Sequence, residues 1–438
     1  MTTGSPVNLR DRPVVAGERA EVDSLGYEAL VAARAAQDPA WLGALRKAAY
    51  ARFRELGIPT ARSEDWRYTN TAPLTRATHA PAPAVAAPVA EPLTAFAGPV
   101  LAVRLDNGRV TDRPSDLPEG LVIRNLAESD DISADLLCPD DHGLMALNAA
   151  LLEDALVIEV ARGARIAAPL VIDHVSHAAD EQAVHSRIIL RLQEGASITV
   201  FERYRGRDEA AHWVNPVRRF SVGANARLRL VTLVDENPRA MHTGVVALDV
   251  ARDGNAKSWV LVDGGRTARH EARVHFAGPN ASVAMKGATL AAASQNLAIY
   301  TAVDHAVPHC RSDQMFRSVV DQGGASAFQG RVLVREGAQK TDANQSSRNL
   351  LLDRNAEANA KPELEIYADD VKCSHGATVG ELDADMLFYL EARGVPRHEA
   401  RAMLVEAFVA GVLEDAPELA DQLLARVSRW MGERGEKL

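Results

Sequence analysis

Short runs of alternating apolar and polar residues recur through the middle of the chain. They include ALVIEV, RIILRL, SITVF, LRLVTLV and SWVLV. A period of two is typical of strands, because successive side chains point to opposite faces. In RIILRL and LRLVTLV the pattern predicts that Arg and Thr face outward while the aliphatic side chains face inward.

A small turn separates these runs at a regular spacing. Gly or Asn followed by Ala recurs, and the alanines stand at 164, 196, 226, 256 and 281, which is 25 to 32 residues apart. Strand–turn–strand units at a fixed period are typical of a β-solenoid, in which each coil buries its inward face by stacking on its neighbours. An antiparallel sandwich with hairpin turns gives a similar pattern, and the repeat alone leaves both folds open.

Apolar residues at helical spacing mark both ends of the chain. Residues 39–56 are predicted to form a helix that Asp38 caps and Gly57 ends. Three further helices are predicted after residue 381, the first ending at Gly394, and their short loops favour antiparallel packing on each other. The alternative is that part of their apolar surface binds a partner. The apolar face predicted for the second of them consists of Ala400, Met403, Leu404, Ala407, Phe408 and Val412.

These patterns divide the chain into four parts. Residues 1–77 are a tail and an N-terminal helical region, and 78–99 are an Ala/Pro-rich connector whose prolines block regular structure. Residues 100–380 form the β core, with a lead-in segment to about 155 that contains strands at 100–105 and 121–125 and a helix near 144–152. Residues 381–438 form a C-terminal helical domain.

Composition excludes several functional classes. The chain has 438 residues, of which 59 are acidic and 49 basic, and its net charge is -10. Without a strongly basic tract, nucleic acid and anionic membranes are not expected partners. Cys138, Cys310 and Cys373 are too scattered for a disulfide framework. The N-terminus lacks an apolar signal region and no run of ~18 apolar residues occurs, so we expect a cytoplasmic protein.

Common catalytic motifs are missing from the sequence. No Walker A, GxGxxG, GxSxG or HExxH motif occurs, so we expect that this chain binds no nucleotide and is not an enzyme. Two other readings stay open. One is a secreted β-helix enzyme acting on carbohydrate through Asp369 and Asp370 beside Lys372, which the missing signal region argues against. The other is a solenoid interaction protein without any metal.

One short segment carries candidate chemistry. Cys373 and His375 follow an extended-looking run at 364–367 and are separated by one residue. On a strand the thiol and the imidazole would share a face, with Ser374 turned away, and such a pair suits half of a site for a soft metal or an iron–sulfur unit. The spacing alone is more often a buried thiol beside an ordinary histidine.

A second grouping of histidine and cysteine is looser. His305, His309 and Cys310 resemble a ligand cluster, but Pro308 disfavours the helical pairing that would bring the two histidines together. We therefore interpret them as structural residues near a turn.

Longer stretches resemble a known protein family. RSEDWRYTN begins at Arg62, and further matching pieces follow between Asp304 and Val395; these are DHAVPHCRSDQ, FQGRVLV, AQKTDANQ, NLLL, PELEIYADDVKCSHGAT and LFYLEARGV. Together they resemble the SufB/SufD family, the scaffold proteins of iron–sulfur cluster assembly. The chain is more similar to the SufD branch, because it has Ser-His-Gly around His375 where the SufB branch has Glu-His-Glu. Arg348 stands at or near the position of that branch's cluster cysteine.

The resemblance implies a fold and a set of partners. The fold would be mainly β, a right-handed parallel β-helix flanked by N-terminal and C-terminal helical regions. The chain would be a non-catalytic scaffold subunit that pairs with a SufB-like paralogue through the β-helix. It would bind a SufC-like ABC-type ATPase through its C-terminal helices, with the candidate contact residues Gly394, Val395, Pro396, Ala400, Leu404 and Phe408.

The resemblance also implies a transient iron–sulfur cluster at the subunit interface. His375 is the first candidate to ligate metal or cluster there, and Cys373 is the second. Reduced flavin in the complex and a homodimer in isolation are left open.

Overall fold

Strands of this chain lie parallel and in register with strands one coil further along the sequence. The structure is a computed structural model that describes residues 19–86, 98–129, 132, 142–207, 209–413, 415–416 and 420–432. Leu190 lies beside Phe220, and Phe220 lies beside Leu248. The result is a parallel β-solenoid of about eight turns with helices at both ends. The predicted β-helix is thus confirmed over the antiparallel sandwich.

One long sheet, sheet I, forms one wall of the solenoid. Its pairs are parallel, except for the antiparallel pair formed by its first two strands. In spatial order its strands are β6 (Leu121–Asn125), β7 (Ala155–Val160), β10 (Arg187–Leu192), β13 (Val217–Val222), β15 (Met241–Val250), β17 (Thr267–Phe276), β19 (Asn296–His305), β21 (Ala325–Val334) and β23 (Glu357–Ile366), with the short strands β3 (Ala80–Pro81), β9 (Gln182–Val184) and β12 (Trp213–Val214) beside it.

The second long sheet, sheet II, forms the opposite wall. It too begins with an antiparallel pair and continues in parallel. Its strands are β5 (Arg109–Asp112), β4 (Leu101–Asp106), β8 (Leu170–Ser176), β11 (Ser197–Gly206), β14 (Arg227–Asp235), β16 (Asn255–Val262), β18 (Ser282–Ala291), β20 (Arg311–Val320), β22 (Asp342–Leu351) and β24 (Lys372–Glu381). A separate antiparallel pair joins β1 (Arg19–Ala20) to β2 (Ile58–Pro59). The strands predicted at 100–105 and 121–125 correspond to β4 and β6.

The repeated small turn has a backbone reason. Gly163, Gly195, Asn225 and Asn280 have positive φ, a conformation that Gly and Asn adopt more readily than other residues. Each precedes an alanine, and the alanines at 196, 226 and 281 are buried where the chain turns from one sheet to the other. At the fourth turn Asp253 has positive φ instead of Asn255, which already belongs to β16.

The predicted outward position of Thr in LRLVTLV is wrong. Thr232 is buried inside the solenoid, where its hydroxyl lies 3.4 Å from a carboxylate oxygen of Glu202. Glu202 is itself paired with the buried Arg218 across the interior at 2.8 Å. Val231 and Leu233 face outward instead, because the C-terminal helices cover this part of sheet II.

Helices flank the solenoid at both ends of the chain. They are α1 (Tyr27–Ala35), α2 (Ala40–Leu56), α3 (Gly143–Leu151), α4 (Ala384–Ala392), α5 (Arg397–Leu413) and α6 (Ala420–Gly432), with 3-10 turns at Asp23–Leu25, Glu64–Trp66, Ala72–Thr75 and Leu126–Glu128. The helices predicted at 39–56 and near 144–152 are confirmed by α2 and α3. Half of the Pro-rich connector, at 87–97, lies outside the described residues.

The predicted capping of α2 by Asp38 is wrong. Pro39 is the N-cap residue and no side chain caps the helix. Asp38 instead pairs with the buried Arg46, whose guanidinium also donates to the carbonyl oxygens of Ala150 and Leu152. The carboxylate therefore neutralises a buried cation that fastens α2 to the end of α3.

The C-terminal helices do not pack only on one another. In α5 the buried residues are Ala400, Val405, Val409, Val412 and Leu413, so the predicted face that included Met403 and Ala407 is only partly right. Those valines pack, together with residues of α6, against the outer surface of sheet II. The apolar outer surface of the sheet sets the orientation of α5, and this surface cannot be read from the helix sequence alone.

The N-terminal region is fastened across sheet I by an aromatic sandwich. The Arg269 guanidinium lies 4.2 Å from the Trp66 ring centre and 4.5 Å from that of Tyr300. Arg269 also pairs with the buried Glu271 at 3.0 Å. On β23, in the last coil, Lys361 pairs with Glu64 at 2.6 Å. These contacts hold the segment around Trp66, part of RSEDWRYTN, on the outside of the solenoid.

Candidate functional site

Cys373 and His375 lie on β24, the last strand of sheet II. They are beside Ala343 and Gln345 of β22. Cys373 packs against the solenoid core, so His375, two residues on, lies on the same inward face. Ser374 points away, and its hydroxyl donates to the side-chain oxygen of Asn344 at 2.7 Å. The predicted shared face of thiol and imidazole is therefore present.

The last coil leaves both of its strands without an outer neighbour. Among the described residues, β23 pairs only with β21, and β24 only with β22. We call this end, formed by β23 and β24, the open end. His375 is exposed there and Cys373 is half-buried, whereas equivalent positions deeper in the solenoid are buried. Unpaired strand edges are templates for pairing with another chain.

The two free edges differ in one respect. Pro362 lies within β23, whereas β24 contains no proline. Backbone N–H groups of Glu357 and Tyr367 point inward to β21. Alternate residues, including position 362, therefore face the free edge, where proline removes a donor. Pro362 thus weakens β23 as a template, and β24 keeps its full set of outward donors and acceptors.

The Cys373 thiol is not activated in this chain. Burial raises its pKa, the N–H of Ala343 opposes that shift, and the nearby Asp342 carboxylate raises it again. A thiol ligates metal as the thiolate, so a metal would have to displace the proton on binding. Cys373 therefore has the environment of a packed thiol, and His375 is the more accessible donor.

The described residues contain no group of three His, Cys, Asp or Glu side chains placed to hold a metal ion. Cys373 and His375 supply at most two ligands. A cluster bound at the open end would thus need ligands from elsewhere, and a second chain covering the edge is the simplest source.

His305, His309 and Cys310 are not brought together as ligands. His305 is buried inside the solenoid, where a ring nitrogen lies 2.9 Å from the Ser312 hydroxyl. His309 is exposed at a turn and has a φ of 63°. Cys310 is buried next to it, in the same place in its turn as Ala281 one coil earlier. These positions agree with the interpretation as structural residues near a turn.

Only some of the candidate partner residues of the C-terminal helices are exposed to solvent. Gly394 and Pro396 are exposed, whereas Val395, Leu404 and Phe408 are half-buried. Ala400 is fully buried against the protein itself, so it cannot touch a partner in this conformation. Leu404 and Phe408 line a cleft of ≈ 440 Å³ between α5 and the end of β24, together with Met386 and Arg348.

Sequence reasoning missed two features of this region. Large apolar side chains are exposed on α4 and α5, and these are Met386, Phe388, Tyr389 and Met403. Which apolar residues of these helices stay uncovered depends on how α5 packs on sheet II. Gln345 was also missed as a neighbour of His375, although it lies one coil of thirty residues before it and the repeat could have found it.

The comparisons with known proteins agree with the family resemblance of the matched segments. The family model for the SufBD core domain of the SUF system for FeS cluster assembly matches residues 174–408, more than half of the chain. The chain is 32% identical over 381 residues to the iron-sulfur cluster assembly protein SufD of Escherichia coli (strain K12), covering 85% of this chain and 89% of that protein. It is 31% identical over 334 residues to the protein ABCI7, chloroplastic, of Arabidopsis thaliana, covering 72% and 69%.

No helix among the described residues is long and apolar enough to cross a membrane.

Proposed function

The chain belongs to the SufB/SufD family and is of the SufD type, and from this premise we propose that it is a non-catalytic scaffold subunit for iron–sulfur cluster assembly. It pairs with a SufB-like paralogue at the open end and binds a SufC-like ATPase through its C-terminal helices. The nascent cluster lies at the interface between the paralogues, with His375 as this chain's ligand. The proposed place of action is the cytoplasm.

One observation carries the proposal: the exposed His375 lies on a free strand edge with no other ligands to complete a metal site among the described residues. A paralogue that adds a strand to β24 would satisfy the free backbone groups. The same addition would place its own side chains beside His375. Few ligands, divided between two chains, suit a scaffold that must release its cluster.

The ATPase contact is supported by apolar exposure. Phe388 is 70% exposed, Tyr389 57% and Met386 58%, on a helix that buries only Leu387. Exposed apolar side chains of this size are typical of a protein interface. Met386 also lines the cleft formed by Leu404 and Phe408. The ATPase is therefore proposed to contact α4 and the exposed side of α5. The buried side, which carries Ala400, would not take part.

Other cofactors receive no specific support from the described residues. Reduced flavin in the complex, and self-pairing of this chain when its paralogue is missing, stay open predictions of the family resemblance. Asp370, one of the two acidic residues considered for carbohydrate chemistry, is paired with Lys340. No observation favours the carbohydrate reading.

The test measures iron and acid-labile sulfide per complex after anaerobic co-expression with the cognate SufB-like and SufC-like proteins. His375→Ala should abolish most of the bound cluster while the complex stays intact. Ser374→Ala is the matched control, because Ser374 is adjacent but points outward, and it should retain the cluster. An intact His375→Ala complex with a full cluster would leave this chain as a structural, metal-free partner.

A further inference from the structure

Three polar side chains are stacked at equivalent positions of consecutive coils, and the stack ends at the open end. Gln314 of β20 lies beside Gln345 of β22, which lies beside His375 of β24. Gln314 is 1% exposed and Gln345 3%. The Thr301 hydroxyl donates to the side-chain oxygen of Gln314 at 2.6 Å, which fixes the inner end of the stack. Stacked carboxamides in adjacent strands can hydrogen-bond along the sheet.

Gln345 is the least satisfied member of this stack, since Gln314 lacks a partner only at Nε2 and its Oε1 accepts from Thr301. Neither Oε1 nor Nε2 of Gln345 has a hydrogen-bond partner among the described residues, and both are buried. A buried amide without partners destabilises the fold, so such groups are normally paired in the working protein.

The surroundings of Gln345 are shaped to hold its carboxamide. Gly330 lies opposite on β21, and a Cβ at that position would come within 3.0 Å of Nε2 and 3.1 Å of Cδ of Gln345. The same Cβ would meet the Phe328 ring at 2.7 Å. The absence of a side chain at Gly330 therefore leaves the space that the carboxamide occupies. The remaining neighbour along the stack is His375, one strand away at about 4.8 Å.

We propose that Gln345 is a positioning residue for His375, an inference that rests on the proposed ligand role of His375. When a partner covers the open end and removes water, one ring N–H of His375 donates to Oε1 of Gln345. That oxygen has two lone pairs, so it can also accept from Nε2 of Gln314. The hydrogen bond fixes one tautomer and orients the ring. The other ring nitrogen is then unprotonated and directed to the interface, as a ligand must be.

The test uses the complete complex, first without iron, with ¹⁵N-histidine in this chain alone. Solid-state NMR of the sedimented complex distinguishes protonated from unprotonated ring nitrogens, and His375→Gln identifies the signal of His375. Wild type should show a single tautomer. Gln345→Met, which keeps the length but removes the acceptor, should show a mixture. Gln345→Glu, which restores an acceptor, should restore a single species with a protonated inward nitrogen.

Cluster loading is the second readout. Gln345→Met should lower cluster retention by about ten- to a hundred-fold, as loss of a hydrogen bond to a ligating histidine typically does. Gln329→Met is the matched control, because Gln329 is equally buried but donates to the carbonyl oxygen of Glu64, outside the stack, and it should leave both the tautomer and the cluster unchanged.

Three outcomes would overturn the inference or its premise, and they are distinguishable. Loss of cluster in His375→Ala with an unchanged tautomer in Gln345→Met would reject the role of Gln345 alone. Equal effects of Gln345→Met and Gln329→Met would mean that Gln345 contributes through packing alone. A full cluster in the His375→Ala complex would mean that His375 is not a ligand, and the inference about Gln345 would then lose its premise.

Discussion

Single buried residues set how this protein responds to pH. Burial lowers the pKa of His305 to about 4, against weaker opposing effects of Asp304 and Asp342. In the unfolded chain the pKa of histidine is about 6.5. Between these values the unfolded state binds a proton that the folded state does not. The free energy of unfolding should therefore fall as the pH is lowered from about 6.5 towards 4.

His305→Gln tests this pH dependence. Glutamine keeps a hydrogen-bonding group near Ser312 but does not titrate, so the variant should lose about 2 kcal/mol less stability than wild type between pH 6.5 and 4.5. Chemical denaturation at a series of pH values measures the difference. His309→Gln is the control, because His309 is exposed at a turn. Parallel curves for wild type and His305→Gln would mean that the pKa of His305 is the same in the folded and the unfolded chain.

At the residue scale, the sequence predicted which face of a strand a side chain occupies better than it predicted the chemical surroundings of that side chain. The one-residue spacing of Cys373 and His375 correctly placed both on one face of a strand, because the period of a strand is fixed. Whether Cys373 is a reactive thiol could not be predicted, since its pKa depends on burial and on Asp342 of the neighbouring strand. The ion pair of Glu202 with Arg218 could not be predicted for a similar reason, because the two residues are sixteen positions apart and meet only across the interior of the solenoid.

At the scale of elements, packing inside the solenoid makes single glycines indispensable. A Cβ at Gly287 of β18 would meet the side chain and carbonyl oxygen of Val260 at 2.5 Å. We expect Gly287→Ala to destabilise the protein by about 1–3 kcal/mol through overpacking. Gly337→Ala is the control, because nothing lies within 4 Å of a Cβ there, and it should change stability by less than about 0.5 kcal/mol. Urea denaturation should separate the two variants; equal midpoints would contradict the packing argument.

The free edge of β24 permits a direct test of strand pairing. The N–H of Lys372 donates inward to Thr341, so the N–H groups of alternate residues, including Ala377, face the free edge. Ala377→Pro removes an outward donor only. It should leave the isolated chain folded but weaken binding of the paralogue by roughly ten-fold or more, because an edge strand tolerates proline and an added strand does not.

Thr378→Pro is the companion variant for this experiment. Its N–H points inward to β22, so the substitution should destabilise the last coil of the isolated chain itself. Thermal unfolding of each chain, followed by titration with the paralogue, separates the two effects. If Ala377→Pro binds the paralogue as tightly as wild type, β24 is not the pairing strand.

Helix positions were more predictable than helix faces. Residues 39–56 were correctly predicted as a helix from spacing alone, but Asp38 neutralises Arg46 instead of capping. In α5 the predicted face was displaced, because Val405 and Val409 pack on an apolar outer surface of sheet II that belongs to distant strands. A helix with apolar residues around most of its circumference has no single face until its neighbours are known.

At the scale of the whole molecule, the repeat in the sequence determines the fold, whereas the site depends on an end effect. Turns with Gly or Asn before Ala set the length of each coil, and stacking of the coils buries their inward faces. The predicted end of the β core at residue 380 already placed His375 near the end of the stack. The strand pairing adds that, among the described residues, no strand lies beyond β23 or β24, so the edge beside His375 is free.

An uncovered end should also be the least stable part of the molecule. In a solenoid each coil is stabilised by its two neighbours, and the last coil has only one. We expect backbone amides of β24 and β23 to exchange with deuterium fastest, and those of β18 and β20, which are flanked on both sides and lie beneath α5, to exchange slowest. Addition of the paralogue should slow exchange mainly in the last coil.

The pattern of that protection identifies the contact. Hydrogen–deuterium exchange with mass spectrometry can be run on the isolated chain, on its pair with the paralogue, and on the pair formed with Ala377→Pro. Slowing confined to β23, β24 and the coil beneath them is expected for edge pairing, and Ala377→Pro should lose it. Protection spread over the solenoid, or centred on the N-terminal helices, would contradict the open end as the site where the second subunit and its ligands arrive. In that case His375 would have no source of the further ligands that a cluster needs.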